Sequence, residues 1–95
     1  MTWQQAIDWC AGLGDGWRLP TVQELVGIVD YTRSDPAVIK PLADSTASGY
    51  YWSSTPDAGT PYTAWFVDFY FGYVYNGGKT SHYYVRAVRG AGVTP

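Results

Sequence analysis

The sequence predicts an α+β domain, with two helices packed on a small twisted antiparallel sheet with long loops. Two observations carry that expectation. Over residues 1–31 apolar side chains recur at helical spacing in two blocks. Each block follows a threonine with a glutamine or glutamate three positions on, the reciprocal capping pattern that opens a helix. From Tyr50 the apolar spacing shortens to every second residue and turn residues separate the runs, which is the strand signature. Helices first and strands after, without alternation, is the α+β order.

The first helix is expected over residues 3–12. Thr2 caps it, Gln5 closes the capping box, and Trp3, Ala6, Ile7, Cys10 and Leu13 share one face. Gly12 and Gly14 stop it, and Gly14-Asp15-Gly16 makes a turn. The junction Trp17-Arg18-Leu19-Pro20-Thr21 follows, and the rest of the chain is expected to pack around it. Trp17 brings a large apolar surface, and Pro20 holds Leu19 extended. Arg18 lies between two large apolar residues, so its fork needs carboxylates or carbonyls; Glu24 is one candidate partner. Thr21 and Glu24 form the second capping box. Behind it Val22, Leu25, Val26 and Val29 line a helix that Asp30-Tyr31 ends.

Residues 32–49 read as loop with one short turn near 37–39. Tyr50 to Ser54 is the first strand, closed by Pro56. Thr63 to Phe69 is the second, with Trp65, Val67 and Phe69 on one face and Ala64, Phe66 and Asp68 on the other. Tyr73-Val74-Tyr75 is a third, and Asn76-Gly77-Gly78 reads as a turn or bulge. Tyr83 to Arg89 is expected as the last strand, and Asp68 is a candidate partner for Arg86. Residues 1–90 form one domain and residues 91–95 a loose tail.

Composition narrows the function classes. Aromatics make up 18% of the chain and charged residues 15%, with a net charge of −2. So many rings exclude disorder, and seventeen aromatics in 95 residues cannot all be buried. The acidic balance disfavours duplex nucleic acid, whose phosphates need cations. Asp68 and Gly72 interrupt the most apolar segment, so no membrane insertion is expected. Met1-Thr2-Trp3 leads into a helix without a signal-peptide pattern. Cys10 is the single cysteine, which rules out an intrachain disulfide and a multi-cysteine zinc site.

No catalytic constellation stands out, and neither a cofactor nor a metal is expected. Ser81, His82 and Asp68 would supply a serine-type triad, but nothing in their spacing singles them out. Cys10 sits on an apolar helix face and reads as a core residue. Asp57 and Asp68 are isolated rather than clustered like calcium ligands. The better lead is a belt of Tyr62, Tyr70, Phe71, Tyr73, Tyr75, Tyr83 and Tyr84 in or beside short strands. Tyrosine supplies rigid contact area with a polar tip. The expected ligand-binding residues are Tyr70, Tyr73, Tyr75, Asn76, Lys79 and His82, and the expected partner is a glycan or a protein surface. The alternative is a structural subunit of an assembly or filament.

Five blocks in one order carry a resemblance: Thr2-Trp3 with Ala6 and Cys10; Trp17-Arg18-Leu19-Pro20-Thr21 with Glu24-Leu25; Tyr51-Trp52-Ser53-Ser54-Thr55; Ala64-Trp65 with Val67-Asp68-Phe69 and Gly72; and Tyr84-Val85-Arg86-Ala87-Val88-Arg89-Gly90. Together they resemble the Lcl C-terminal domain family, named for a bacterial collagen-like adhesin. The resemblance implies a C-type-lectin-like fold, a cell-surface or extracellular setting, and a binding excursion. It also implies relatives that include trimeric adhesins for sulfated polysaccharides, so a homo-oligomer is one expectation. Members commonly carry a cysteine where Ala87 stands, bridged to the helix-one cysteine. Here that bridge, worth about 2–4 kcal/mol, is absent. A strand usually precedes helix one in the family. Its absence here predicts an unpaired edge on the last strand, or a strand borrowed from another chain. The formylglycine-generating relatives share the Arg-Leu-Pro-Thr block, but their catalysis needs two cysteines and is not carried over.

Overall fold

The computed structural model describes residues 1–89, apart from the side chains of residues 44 and 45. The tail expected over 91–95 lies outside the described residues. The elements are helices α1 (Trp3–Gly12) and α2 (Val22–Val26), a 3-10 helix at Lys40–Ser45, and strands β1 (Tyr50–Pro56), β2 (Thr63–Asp68) and β3 (Tyr73–Gly78). The strands form one antiparallel sheet in the order β1-β2-β3.

Both capping boxes form. Thr2 accepts from the Gln5 amide and Gln5 accepts from Thr2; Thr21 and Glu24 do the same for α2. The first helix has the bounds its pattern predicts. The second is shorter, because Gly27 caps it and the chain beyond turns extended, with Val29 bridging Val38. The polar-looking 32–49 stretch is therefore less of a loop than expected. It contributes fully buried Ala37 and Val38, and its helical turn lies at 40–45 rather than at 37–39.

The central strand β2 is buried on both faces, so the sheet divides the interior in two. On one face Ala64, Phe66 and Trp52 pack with Ala6, Cys10 and Leu19 under α1. On the other, Val67, Phe69 and Tyr51 pack with Leu25 and Val38 under α2. Trp52 and Phe69 are the largest fully buried side chains; full burial of a large apolar side chain contributes about 1.5–3 kcal/mol. Trp17 is only half-buried, with the Arg89 guanidinium 5.1 Å from its ring centroid. The interior is thus centred on Trp52. Its indole N–H donates to the Met1 carbonyl at 3.0 Å, while that of Trp3 donates to Ser53 at 2.8 Å.

The junction at 17–21 is nonetheless a node. Arg18 and Val88 exchange backbone hydrogen bonds at 2.7 and 2.8 Å, and the Ser54 amide donates to Pro20 at 2.7 Å. The register of β1 against β2 shifts between Trp52 and Pro56, which lets Ser54 and Thr55 meet the junction while Ser53 stays on β2. Thr55 Oγ1 accepts from the Val22 amide, and Ser53 Oγ donates to Trp65. Arg18 meets Glu24 with both arms of its fork at 2.7 Å.

Two expectations need correction. Asn76-Gly77-Gly78 lies within β3, and the turn follows it. Tyr83–Arg89 is not a strand: it makes one parallel bridge, Tyr84 to Tyr51, and one antiparallel bridge, Val88 to Arg18. It crosses between two partners of opposite sense, so no ladder can propagate. Nor does it leave the expected open edge, since Met1 and Tyr83 exchange hydrogen bonds at 2.9 Å.

Candidate functional site: an aromatic face beside an open groove

The register places Tyr50, Phe66, Tyr73 and Tyr75 on one face of the sheet, because Tyr50 and Tyr73 both pair with Asp68, and Tyr75 pairs with Phe66. Helix α1 covers the Trp52 and Ala64 part of that face and leaves Tyr50, Tyr73 and Tyr75 exposed. The rings form a continuous series. Tyr50 stacks on Phe66 at 4.6 Å. Phe66 meets Tyr75 at 6.0 Å, and Tyr75 meets Tyr73 at 6.0 Å. Tyr73 meets Phe71 at 5.8 Å, and Phe71 meets Tyr70 at 4.4 Å. Tyr50, Tyr70, Phe71, Tyr73 and Tyr75 keep 44, 41, 53, 53 and 50% of their surface exposed.

Beyond Tyr50 lies an open groove of about 540 Å³, lined by Met1, Gly49, Tyr50, His82, Tyr83 and Tyr84. Two glycines make it. A Cβ at Gly49 would stand 2.6 Å from the Tyr84 ring, and one at Gly77 would stand 2.8 Å from the Tyr83 hydroxyl and 2.9 Å from Phe66. The Tyr83 ring is thereby held 4.9 Å from Phe66 and 5.3 Å from Tyr50. Ring series and groove share Tyr50 and form one surface.

The six expected ligand residues divide on this surface. Tyr70, Tyr73 and Tyr75 stand together on the ring series. His82 is at the groove, on the far side of Tyr50. Asn76 and Lys79 are committed elsewhere. The Asn76 amide donates to Asp57 at 2.7 Å. Lys79 Nζ donates to Pro61 at 2.8 Å and lies 4.3 Å from the Trp3 ring centroid, so it clamps the start of α1. The sequence reading left out Tyr50 and Phe71 as ligand residues, along with the groove residues Tyr83 and Tyr84. The period-two pattern names the face of a strand, but not which part of it a helix will cover.

The ring series carries no exposed charged side chain. Asp68 is buried beneath it, and its carboxylate accepts from the Tyr70 amide at 2.8 Å. That bond replaces the expected Arg86–Asp68 pair; Arg86 donates to Thr46 Oγ1 at 2.9 Å. Asp57 lies outside the face. The Asn76 amide, followed by the Gly59 N–H, holds its carboxyl below the ordinary 3.8. Burial raises the Cys10 thiol pKa, which lowers its thiolate fraction. Ser81, His82 and Asp68 form no hydrogen-bonded array among the described residues: Asp68 faces Tyr70, and the Ser81 amide donates to Gly78. No group of three or more His, Cys, Asp or Glu side chains converges there. No described helix is long and apolar enough to cross a membrane.

The model of the Lcl C-terminal domain matches residues 1–89. No curated protein and no solved structure matches the chain. The match takes in both capped helices, the junction with its Arg18–Glu24 fork, the shifted β1 and the returning segment at Val88. The chain therefore belongs to the Lcl C-terminal domain family.

Proposed function

We propose that this domain is a non-enzymatic binding module of C-type-lectin-like architecture whose aromatic face takes a neutral glycan at a cell surface or outside the cell. The observation that carries this reading is the ring series from Tyr50 to Tyr70, exposed at every ring except the buried Phe66 and continuous with the groove. Sugar rings present flat C–H faces to aromatic rings and hydroxyls to polar tips, and tyrosine offers both at low entropic cost. Bound geometry would need little reorganisation, because neighbouring rings already buttress one another. The lack of exposed charged side chains along the ring series favours a neutral glycan over a sulfated one, and Lys79 of the expected set is held by Pro61 and Trp3. A protein segment is the other ligand class such rings accept.

A glycan array carrying neutral and sulfated oligosaccharides tests the proposal, followed by NMR titration of the best neutral hit. Tyr73→Ala and Tyr75→Ala should each weaken binding about tenfold, the equivalent of about 1.4 kcal/mol, without changing the fold. An empty array with folded protein removes the glycan reading. So would retention of full affinity by the Tyr73→Ala/Tyr75→Ala double variant.

A further inference from the structure

β3 is the outer strand of the sheet, and among the described residues no strand lies beyond it. In an antiparallel pair, successive residues turn their backbone groups alternately toward and away from the neighbour. The Lys79 amide donates to Tyr62, and the register pairs Gly77 with Ala64, Tyr75 with Phe66 and Tyr73 with Asp68. Counting by two from Lys79, Gly77, Tyr75 and Tyr73 face β2, so Val74 and Asn76 point their N–H and C=O groups outward.

Natural edge strands are usually guarded by charge, proline or a bulge. Residues 70–78 contain no charged residue and no proline, and β3 pairs with β2 in unbroken register. Tyr73, Val74 and Tyr75 are all exposed, so apolar surface shows on both faces of the edge.

Tyr73-Val74-Tyr75 is also a palindrome. We propose that two copies of this chain pair through β3, antiparallel, about a two-fold axis at Val74. Val74 of each copy then exchanges both backbone hydrogen bonds with Val74 of the other, using the groups that point outward. Tyr73 of each copy comes opposite Tyr75 of the other in the closer, non-hydrogen-bonded positions, where aromatic cross-strand pairs stabilise a sheet. A two-fold axis at Tyr75 would form only one such tyrosine pair, and would set Tyr73 against Gly77. The interface is isologous and closes at two copies. It joins two three-stranded sheets into one of six strands and merges their ring series. The pairing stands apart from the glycan reading: a dimer that binds no sugar, or a monomer that does, separates the two.

Sedimentation velocity over a concentration series, without ligand, tests it. The wild-type chain should pass from 10.5 kDa to twice that mass and stop there. Val74→Pro removes an outward N–H that β2 does not use, and Val74→Lys places a charge at the axis; both should remain monomeric throughout. Should Val74→Pro fail to fold, Val74→Lys decides. In the dimer, amide exchange should slow at Val74 with rising concentration, and stay unchanged at Tyr73 and Tyr75. A wild-type chain that stays monomeric overturns the proposal, as do folded variants that dimerise like the parent. Open-ended polymers, or Val74 exchange that ignores concentration, overturn it too.

Discussion

Glu24 holds two structures together with one carboxylate. Its Oε1 accepts from the Thr21 amide at 2.8 Å and from Arg18 Nη1 at 2.7 Å, and its Oε2 accepts from Arg18 Nη2 at 2.7 Å. The side chain is 10% exposed and that of Arg18 36%, so the pair lies between the surface and buried limits. Glu24→Gln keeps an acceptor for the capping box and loses the ion pair; it should cost about 1–2 kcal/mol. Glu24→Ala loses both and should cost about 2–4 kcal/mol. Urea unfolding of the two variants checks the order. This pair was legible in the sequence because a capping box fixes where Glu24 sits relative to Thr21, and Arg18 is three residues before that. The Arg86–Asp68 pair was misread because Asp68 ends a strand, where its nearest donor is a turn amide that no side-chain pairing rule reveals.

At the scale of elements, local signals set the starts better than the ends. Both helix starts were readable from their caps, and the end of α1 from its glycines. The apolar period of α2 runs on to Val29, but pairing with Val38 takes the chain away from helix. The Asn-Gly-Gly stretch looks like a hairpin turn, yet the glycine at 77 serves to admit the Tyr83 ring rather than to bend the backbone. Gly77→Val should therefore destabilise the domain by about 1–3 kcal/mol through overpacking, and displace Tyr83 from Phe66 and Tyr50. A thermal melt reads the first effect, and the Tyr83 ring shifts in an NMR spectrum read the second. Failure of the last segment to form a strand has the same origin as these misreadings. Its partners, Tyr51 and Arg18, are distant in sequence, and period-two alternation cannot report which of them it meets or in which sense.

For the molecule as a whole, the composition foretold surplus rings on the surface, and five of them lie along one series joined through Phe66. What composition could not foretell was the centre of the interior. Trp17 and Trp52 are the same residue type, and only the sheet decides that Trp52 packs beneath α1. Cys10 and Ala87 both pack in that compartment. Ala87→Cys should therefore form a disulfide with Cys10 under mild oxidation and stabilise the fold by about 2–4 kcal/mol. Loss of two hydrogens by intact mass, and a raised melting temperature that reductant abolishes, would show it.

An interior cut in half by its own sheet has a bearing on how such a domain diversifies. Contacts beneath α2 are screened by β2 from the residues on the opposite side, and substitutions at well-separated sites without shared neighbours act nearly independently. New side chains at Tyr73 or Tyr75 leave the Leu25 and Phe69 packing as it was. Substitutions on the ring-bearing side are thus free to change the exposed surface, while the hidden compartment goes on specifying the same scaffold.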